Sequence, residues 1–333
     1  MRAWHSTVCL PKEAGRFGNC NSGVVSNAAE DLPFVSIAII AYNKRSTIDQ
    51  CLRSISELDY PREKFEVVVV DGGSTDGTLE LLRKYPVKLV SEKRKCRGIA
   101  RNAAVKNCKG QIIAFTDADC LLSKTWVKDH VSLHNDPKVL AIAGAVLQGG
   151  DFSLPARLYH STYFATQSPL MPRKRTWEIA TCNASFKRSA FDVAGLFEEL
   201  DRGEESLLCW RILKLGFDVL FDPSPKVVHV HDPMSFRTLF RRSWEEGFSD
   251  RMLQETFGAI SPYRLPKGLL PTAVWIIPLL LSRLGRYLQK LLLASSRRGE
   301  ALLSIPILFA ASVYWVHGYL VSAYHAETDK VGL

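Results

Sequence analysis

The sequence predicts an α/β fold, with a mostly parallel sheet flanked by helices on both faces. From Phe34 onward, short apolar runs rich in Val and Ile alternate with amphipathic stretches that begin near polar residues. This strand–helix–strand order is typical of parallel sheets that are covered on both faces. With 333 residues and 47% hydrophobic composition, the chain has enough apolar material for a substantial core. The composition therefore excludes wholesale disorder.

Five apolar runs predict strands, and four amphipathic stretches between them predict helices. The runs are Val35 to Ala41, Phe65 to Val70, Val87 to Val90, Ile112 to Phe115 and Val139 to Val146. The helical stretches are Thr47 to Leu58, Thr78 to Lys84, Gly98 to Asn107 and Lys124 to His134. Because such sheets bind ligands at the carboxyl ends of their strands, the polar residues that follow each run are candidate site residues.

Residues 1–31 have no hydrophobic periodicity and are predicted to form a flexible N-terminal extension. They contain no seven-residue apolar core of the kind that a secretory signal requires. The eight cysteines form no CxxC pair and no zinc-ligand spacing, which argues against a disulfide framework or a structural zinc site. These features predict a catalytic part in the reducing cytoplasm.

Polar side chains follow the first and second predicted strands. Tyr42 and Asn43 come directly after the first strand, and Asp71 ends the second. A glycine-rich turn over residues 72–78 follows, in which Asp76 can cap the next helix. Turn chemistry explains the glycines and the cap, but it does not require a carboxylate at the end of a valine-rich strand. Asp71 is therefore a candidate ligand-binding residue.

Two carboxylates follow the fourth predicted strand. Asp117 and Asp119 flank a single alanine, so one backbone segment can present both side chains to the same hard cation. Mg²⁺ or Mn²⁺ held there could neutralise charge on a leaving nucleoside diphosphate. Asp-x-Asp also occurs in surface turns, and its place after the apolar run from Gln111 to Thr116 is what favours the metal-site interpretation.

A series of short motifs extends in order over roughly residues 34–250. They are Val35-Ser36-Ile37 to Tyr42-Asn43, Val68 to Thr78, Gly98 with Ala100-Arg101-Asn102, Asp117-Ala118-Asp119, Thr181 to Phe186, Gly195 to Glu199, and Gly203-Glu204-Glu205. Together they resemble the motifs of family 2 glycosyltransferases, which have the GT-A nucleotide-diphospho-sugar transferase fold. Several motifs in order are far more specific than any one of them.

The resemblance implies a role for each matching residue. The first group would contact the base, ribose and diphosphate of a nucleotide sugar. The donor-binding residues implied in this way are Tyr42, Asn43, Asp71, Asp76, Arg101, Asp117 and Arg211. Asp117 and Asp119 would also hold the cofactor, Mg²⁺ or Mn²⁺.

A downstream acidic motif supplies the general base in many such enzymes. Here it reads Glu204-Glu205, where the commoner pattern is Glu-Asp, so matching assigns the base position to Glu205. The extra methylene moves the carboxylate by about one bond length, and this keeps Glu204 open as the alternative base. Leu207 stands where many relatives carry an acid.

Two histidines further along the chain have both a functional and a structural interpretation. The alternating segment from Val227 to His231 places His229 and His231 on the same face of a short strand. Either imidazole could complete the metal site, as a similarly placed histidine does in some relatives, or could be a satisfied histidine in a half-buried strand.

The segment over residues 237–247 contains Arg241, Arg242 and Trp244. It resembles the basic and aromatic loop that closes over the donor phosphates in this superfamily. The alternative is a solvated or lipid-facing basic helix.

The predicted catalytic domain, residues 32–258, is followed by a basic and apolar region over residues 259–333. Gly268 to Ser282 is uncharged over 15 residues, which is too short for an ordinary membrane span, so it should dip into or lie along the interface. Ala301 to Ala326 has no formal charge over 26 residues and could cross a bilayer. Five bases between the two segments predict a cytoplasmic loop, and a core helix packed on the soluble domain is the alternative.

The net charge of +9 is concentrated near these apolar segments. Residues 237–300 carry eleven Lys and Arg against five Asp and Glu, which favours an anionic membrane surface as partner. A nucleic-acid partner is the weaker interpretation, because no recognisable nucleic-acid motif accompanies the bases, and we expect none.

The sequence therefore predicts a membrane-associated, metal-dependent glycosyltransferase whose catalytic domain is cytoplasmic. It would move a sugar, with the inversion that the resemblance implies, from a nucleotide-sugar donor to a hydroxyl of a lipid-linked or glycan acceptor. A polyprenyl-phosphate sugar synthase is the nearest rival. Because a phosphate acceptor is already anionic, it has little need of a general base, and the Glu204-Glu205 motif favours a hydroxyl acceptor.

Two further classes remain as alternatives. A non-catalytic, membrane-tethered sugar-nucleotide-binding or scaffold protein would explain the departures at Glu205 and Leu207, but not the intact aspartates upstream. A nucleotidyltransferase would use an Asp pair with a metal, but it gives no reason for the downstream acidic motif.

Overall fold

The computed structural model describes residues 32–257, 276–294 and 304–331. The predicted N-terminal extension over residues 1–31 and most of the apolar segment from Gly268 to Ser282 lie outside the described residues. The strands are β1 Val35–Ala41, β2 Phe65–Asp71, β3 Lys88–Ser91, β4 Ile112–Asp117, β5 Cys120–Leu122, β6 Val139–Gly150, β7 Lys174–Arg175, β8 Asn183–Lys187 and β9 Asp218–His231.

Ten α-helices are present in these described ranges. They are α1 Ile48–Ser56, α2 Thr78–Leu82, α3 Arg97–Asn107, α4 Trp126–Leu133, α5 Leu154–Tyr163, α6 Arg188–Ala194, α7 Glu204–Lys214, α8 Phe236–Phe257, α9 Ile276–Ala294 and α10 Ile305–Val331. The five predicted strands and four predicted helices are all present, with ends that differ by a few residues.

The first half of the sheet is parallel, in the order β3-β2-β1-β4. The valines of β2 are buried on both faces, because helices cover both sides of the sheet at this point. The register places Asp71 beside Ala41 and Asp117 beside Ile40. The carboxyl ends of three neighbouring strands therefore meet at one edge, where the predicted site residues lie.

The second half of the sheet makes the whole sheet mixed rather than mostly parallel. Strand β8 lies between β4 and β6 and is antiparallel to both, whereas β6 and β9 are parallel. The short strands β5 and β7 pair antiparallel with β9. The prediction of a mostly parallel sheet assumed that the strand–helix alternation of residues 34–146 continues along the chain. Strand β8 instead enters the sheet in the opposite direction.

The three C-terminal helices belong to the same compact unit as the sheet. Helices α8 and α10 cross in direct backbone contact: a Cβ atom on Gly247 would collide with the carbonyl of Trp315, and one on Gly318 with the carbonyl of Trp244. Small residues at such a crossing let two helix backbones approach closely.

Three of the five bases predicted to lie in a loop between two apolar segments lie in a helix instead, and the other two, Arg297 and Arg298, lie outside the described residues. Arg283, Arg286 and Lys290 are all in α9. The helix forms because Leu279, Tyr287 and Leu291, which recur at helical spacing, are buried against the rest of the protein.

The apolar helix α10 is the one helix of the described part of the chain that is long and apolar enough to cross a membrane, over Ile305–Ser322. Its polar side chains bond to the charged helix α8: Trp315 Nε1 donates to Asp250 Oδ2 at 3.1 Å, and Tyr319 Oη donates to Gln254 Oε1 at 2.5 Å. If α10 crossed a membrane, these hydrogen bonds would draw the charged helix α8 into the hydrocarbon core, at a high cost in free energy. The packing thus favours the core-helix alternative.

Candidate active site

Asp71 lies at the end of β2 and is 2% exposed. Its Oδ2 atom accepts hydrogen bonds from the backbone N–H groups of Gly73 and Ser74, at 2.8 and 3.0 Å. Its Oδ1 atom is buried and has no hydrogen-bond partner among the described residues. A buried acceptor without a donor is costly, so this atom is poised for a ligand N–H or O–H group.

Tyr42 is 49% exposed beside this aspartate. A Cβ atom on Gly72 would lie 3.4 Å from the Tyr42 side chain, so glycine lets the ring lie against the turn after β2. An exposed aromatic face next to an unpartnered carboxylate oxygen suits stacking and hydrogen bonding of a nucleobase.

Asn43 joins the loop after β1 to the loop after β2. Its backbone N–H donates to Ser74 Oγ, and its Oδ1 accepts from the backbone N–H of Thr75, both at 2.9 Å. Its φ of 51° lies in the left-handed region, which asparagine tolerates better than most residues. The structure therefore uses the Asn43 side chain to shape the loop that presents Asp71.

Asp76 also stabilises this loop region through hydrogen bonds of its carboxylate. Its Oδ1 accepts from the Thr78 backbone N–H at 3.1 Å, and its Oδ2 accepts from the Arg45 backbone N–H at 3.1 Å. The hydrogen bond from the Thr78 hydroxyl lowers the pKa of Asp76 below its ordinary value. These contacts fix the start of α2, so both carboxylate oxygens of Asp76 already have partners.

The predicted cation site lies next to β1, where Asp119 is held by Lys44. The Lys44 Nζ atom is 2.7 Å from Asp119 Oδ2 and 3.5 Å from Asp232 Oδ2. The Asp119 Oδ1 atom is buried without a hydrogen-bond partner and lies 3.6 Å from His229 Nε2. Burial opposes the charged form of Asp119, but His229 and Lys44 lower its pKa below the ordinary value.

Side chains that could hold a cation converge here. Ligand atoms of Asp119, Cys120 and His229 all lie within 4.8 Å of one another. Asp117 lies at the end of β4, where burial and the charge of Asp119 raise its pKa. The orphaned oxygen of Asp119, together with a second carboxylate and an imidazole, fits a hard divalent cation. The residues present therefore suit Mg²⁺ or Mn²⁺.

The structure separates the two candidate histidine ligands. The His231 Nε2 atom lies 2.9 Å from His160 Nδ1, so this imidazole already has a partner. Burial lowers the pKa of His231 to about 3 and that of His160 to about 4, which keeps both rings neutral near pH 7. His229, next to Asp119, is therefore the better placed of the two candidates.

Helix α7 begins directly after its N-cap Gly203, whose φ of 81° turns the chain into the helix. This start sends the next two carboxylates in different directions. Glu204 is 1% exposed and forms an ion pair with Arg101. Glu205 lines a cavity, and its Oε2 atom has no hydrogen-bond partner among the described residues and lies 4.0 Å from Arg101 Nη1. Glu205 can therefore accept a proton from a molecule in the cavity, whereas Glu204 is enclosed with its counter-ion.

The cavity beside Glu205 has a volume of about 300 Å³. One side is formed by the region around the sheet, including Arg97, Tyr163 and Trp177, and the opposite side by helices α8 and α9. The α9 side chains that line it are Arg283, Arg286, Tyr287 and Lys290.

Two cations near the site were not among the sequence-based candidates. Lys44 follows Tyr42-Asn43 directly and pairs with Asp119. Arg97, the first residue of α3, interacts electrostatically with both Asp117 and Glu205. Their positions next to recognised motifs were the available signal, but a motif match does not show which neighbouring side chain turns towards the site.

The structure does not bring Arg211 to this edge of the sheet. Arg211 lies near the far end of α7, where its guanidinium binds the Leu196 carbonyl and Glu198 Oε1, the latter at 3.2 Å. It therefore holds the loop before α7 in place.

The segment predicted as a loop over the donor phosphates is part of helix α8. Arg241 lies 3.7 Å from Glu245, Arg242 stacks 4.6 Å above the Tyr159 ring, and Trp244 donates to His317 Nδ1 at 3.0 Å. Contacts to α5 and α10 thus stabilise a helix here, and this corrects the loop expectation.

Comparison with known proteins gives three findings. A family model for glycosyl transferase family 2 matches residues 36–195. The chain is 36% identical over 121 residues to the glycosyltransferase AglE of Haloferax volcanii, over 34% of this chain and 40% of AglE. The mannosyltransferase PcManGT from Pyrobaculum calidifontis, solved in complex with GDP-Man and Mn²⁺, has a TM-score of 0.56 at 25% identity, over 88% of this chain and 86% of that one.

A further relative is the poly(ribitol-phosphate) β-N-acetylglucosaminyltransferase TarS of Staphylococcus aureus, 33% identical over 33% of this chain and 21% of TarS. The chain thus spans less than half the length of the first curated relatives that it matches.

Proposed function

Since this chain belongs to glycosyl transferase family 2 and has the GT-A fold, we propose that it transfers a sugar from a nucleoside diphosphate donor to an acceptor hydroxyl. The reaction depends on a divalent cation and inverts the anomeric carbon. The single observation that carries this proposal is that two buried carboxylate oxygens after neighbouring strands, Asp71 Oδ1 and Asp119 Oδ1, have no hydrogen-bond partner among the described residues.

The donor binds at the carboxyl ends of β1, β2 and β4. Asp71 Oδ1 accepts a hydrogen bond from the base or ribose, and Tyr42 offers the face on which the base stacks. The GDP-Man in the structure of the related mannosyltransferase supports a nucleotide-sugar donor. Arg97 and Arg101 contribute positive charge near the diphosphate.

Asp117, Asp119 and His229 would hold Mg²⁺ or Mn²⁺, and Lys44 fixes the orientation of Asp119. The Mn²⁺ in the related mannosyltransferase supports this choice of cation. A bound cation would supply positive charge to stabilise the departing diphosphate.

Glu205 is the general base of the proposed reaction. Its carboxylate accepts the proton of the acceptor hydroxyl as the hydroxyl oxygen attacks the anomeric carbon from the side opposite the diphosphate. The ion pair between Arg101 and Glu204 holds the first turn of α7, and it therefore positions Glu205. A carboxylate that lines the cavity favours a hydroxyl acceptor over the phosphate acceptor of a polyprenyl-phosphate sugar synthase.

We propose that the protein associates with the cytoplasmic face of a membrane without spanning it. Helix α9 exposes Ile277 and Leu281, at 71% and 61%, and helix α10 exposes Phe309 and Val313, at 47% and 41%. Exposed apolar side chains on neighbouring helices are typical of an interfacial surface.

Vesicle flotation of the full chain tests the membrane proposal. The chain should float with vesicles of phosphatidylcholine and phosphatidylglycerol, and the double substitution Ile277→Asp/Leu281→Asp should greatly reduce flotation. Leu215→Asp, which changes an equally exposed leucine on another surface, is the control. Equal flotation of all three proteins would contradict the proposed surface.

Calorimetry with a panel of nucleoside diphosphate sugars and Mn²⁺ tests the donor site. One sugar nucleotide should bind the full chain with micromolar affinity, and Asp71→Asn should weaken that binding at least tenfold. Asp59→Asn, which changes an aspartate paired with Lys128 on the surface, should have no effect. Absence of binding by every donor would exclude the proposed function.

A further inference from the structure

Segment 197–203 connects the aromatic core of the protein to the acidic motif. Its first residue, Phe197, is buried and packs edge-on against the Phe115 ring, at a centroid distance of 5.6 Å. Its last residue, Gly203, is the N-cap of α7, so that Glu205 follows two residues later. The path of this segment therefore determines where the Glu205 carboxylate lies in the cavity.

The side-chain amide of Asn102, in α3, binds both main-chain groups of Phe197. Asn102 Nδ2 donates to the Phe197 carbonyl at 2.9 Å, and Asn102 Oδ1 accepts from the Phe197 N–H at 3.0 Å. Both hydrogen bonds are buried. A planar amide that pairs with the N–H and the carbonyl of one residue fixes the orientation of the backbone there. Ring packing places Phe197 in the core, and Asn102 fixes the direction in which segment 197–203 leaves it.

The same helix contacts the middle of the segment through backbone atoms. The Gly98 N–H donates to the Leu200 carbonyl at 2.9 Å. The approach is so close that a Cβ atom on Gly98 would collide with the carbonyl of Glu198. Backbone packed on backbone leaves no flexible side chain between α3 and segment 197–203 at this point.

Helix α3 also holds the end of the segment and the residue after it. The Arg97 N–H donates to Asp201 Oδ1 at 3.0 Å, and the Arg101 guanidinium pairs with Glu204. Arg97 and Arg101 are the cations that we place near the donor diphosphate. One helix therefore carries donor contacts and, through segment 197–203, also determines the position of Glu205.

We propose that Asn102 is a positioning residue for the transfer step, which fixes the distance between the Glu205 carboxylate and the bound donor by holding segment 197–203. The inference rests on the proposed glycosyl transfer with Glu205 as its base. A displacement of about 1 Å at reacting groups can lower turnover about 10²-fold. Loss of the Asn102 amide should therefore lower the turnover number and leave donor affinity unchanged.

The test compares Asn102→Asp with Asn107→Asp in the full chain. Asn102→Asp keeps the size of the side chain but removes the N–H that donates to Phe197, whereas the Asn107 amide donates to the Ala103 carbonyl within α3. Asn107→Asp is therefore a matched control on the same helix. If Asn102→Asp does not fold, Asn102→Ala, which introduces no charge, takes its place.

Turnover is measured as Mn²⁺-dependent hydrolysis of the nucleotide sugar that calorimetry selects, with water in place of the acceptor hydroxyl. The water oxygen bonds to the anomeric carbon, the diphosphate leaves, and Glu205 takes the proton. Each variant is assayed below its Tm. We expect the turnover number to fall about 10- to 100-fold in Asn102→Asp, with donor affinity within about twofold, and to stay normal in Asn107→Asp.

A double variant separates positioning of Glu205 from a general structural role. If Asn102 acts through Glu205, its substitution should cost no further turnover once the base is absent. Asn102→Asp/Glu205→Gln should then be as slow as Glu205→Gln alone. Losses that multiply in the double variant would overturn the proposal. Normal turnover in Asn102→Asp, or a loss confined to donor affinity, would overturn it as well.

Failure of the proposed function gives a different result. Absence of binding by every nucleotide sugar, or hydrolysis in Glu205→Gln as fast as in the unaltered chain, contradicts the proposed function. Normal turnover in Asn102→Asp, beside slow turnover in Glu205→Gln, contradicts this inference alone.

Discussion

Replacement of each glutamate of the acidic motif by glutamine should separate a catalytic from a structural role. In Glu205→Gln the side chain keeps its size but cannot accept a proton, so turnover should fall about 10²- to 10⁴-fold while donor affinity persists. Since Glu205 Oε2 has no hydrogen-bond partner among the described residues, the substitution should change the free energy of unfolding little.

Glu204→Gln should behave in the opposite way. Glu204 is 1% exposed and paired with Arg101, which is 7% exposed, so the substitution leaves a buried guanidinium without its counter-ion. Breaking a buried pair in this way costs about 3–5 kcal/mol. At about 2.1 cal/mol/K of unfolding entropy per residue, that corresponds to a decrease in Tm of roughly 4–7 °C for a chain of 333 residues.

The assay measures turnover, donor affinity and Tm for both variants, with the acceptor found by screening. A large loss of turnover in Glu205→Gln at normal Tm supports the assignment. Near-normal turnover in Glu205→Gln, together with a large catalytic loss in folded Glu204→Gln, would refute it. If both variants remain active and fold normally, the hydroxyl-acceptor mechanism fails and a phosphate nucleophile becomes the better explanation.

Three further predictions concern the cation, acid stability and helix packing. Asp119→Asn should abolish Mn²⁺-dependent donor binding, measured by calorimetry, and wild-type affinity would exclude a cation role. Burial lowers the pKa of His130 to about 4 and that of His134 to about 3, so stability should be complete above pH 6.5 and should fall as the pH drops through these values. For His130 the loss is on the order of 3 kcal/mol, and urea unfolding of His130→Gln should show a flatter pH dependence. Gly318→Leu should lower Tm by separating α8 from α10, whereas Gly285→Leu, at a position with open space, should not.

The position of the proposed donor site at one edge of the sheet could be predicted from the sequence because two regularities coincide there. The hydrophobic periodicity and the residue composition of these segments define β1, β2 and β4. Because the strands are parallel, Asp71 and Asp117 lie at the same edge of the sheet. The antiparallel strand β8 was not predictable in this way, because its direction depends on how the chain returns to the sheet and not on its own residues.

The arrangement around the Glu205 cavity could not be predicted, because it depends on the direction in which each side chain points. A motif match does not show that direction. Gly203 in a left-handed conformation sets the start of α7, and only that start decides that Glu204 is enclosed and Glu205 faces the cavity. In the same way, the sequence predicts that Arg286 and Lys290 lie in a basic loop. Their place on a cavity wall follows from the packing of α9 against the rest of the protein, which buries Leu279 and Leu291.

The backbone contact between Gly247 and Trp315 has a geometric consequence for a membrane-bound molecule. With no side chain to compress or slide at this crossing, the apolar surface of α10 and the cavity wall beside α8 move as one rigid piece. If the protein associates with a membrane as proposed, the height of the Glu205 cavity above the lipid headgroups is then set by this contact between the two helices.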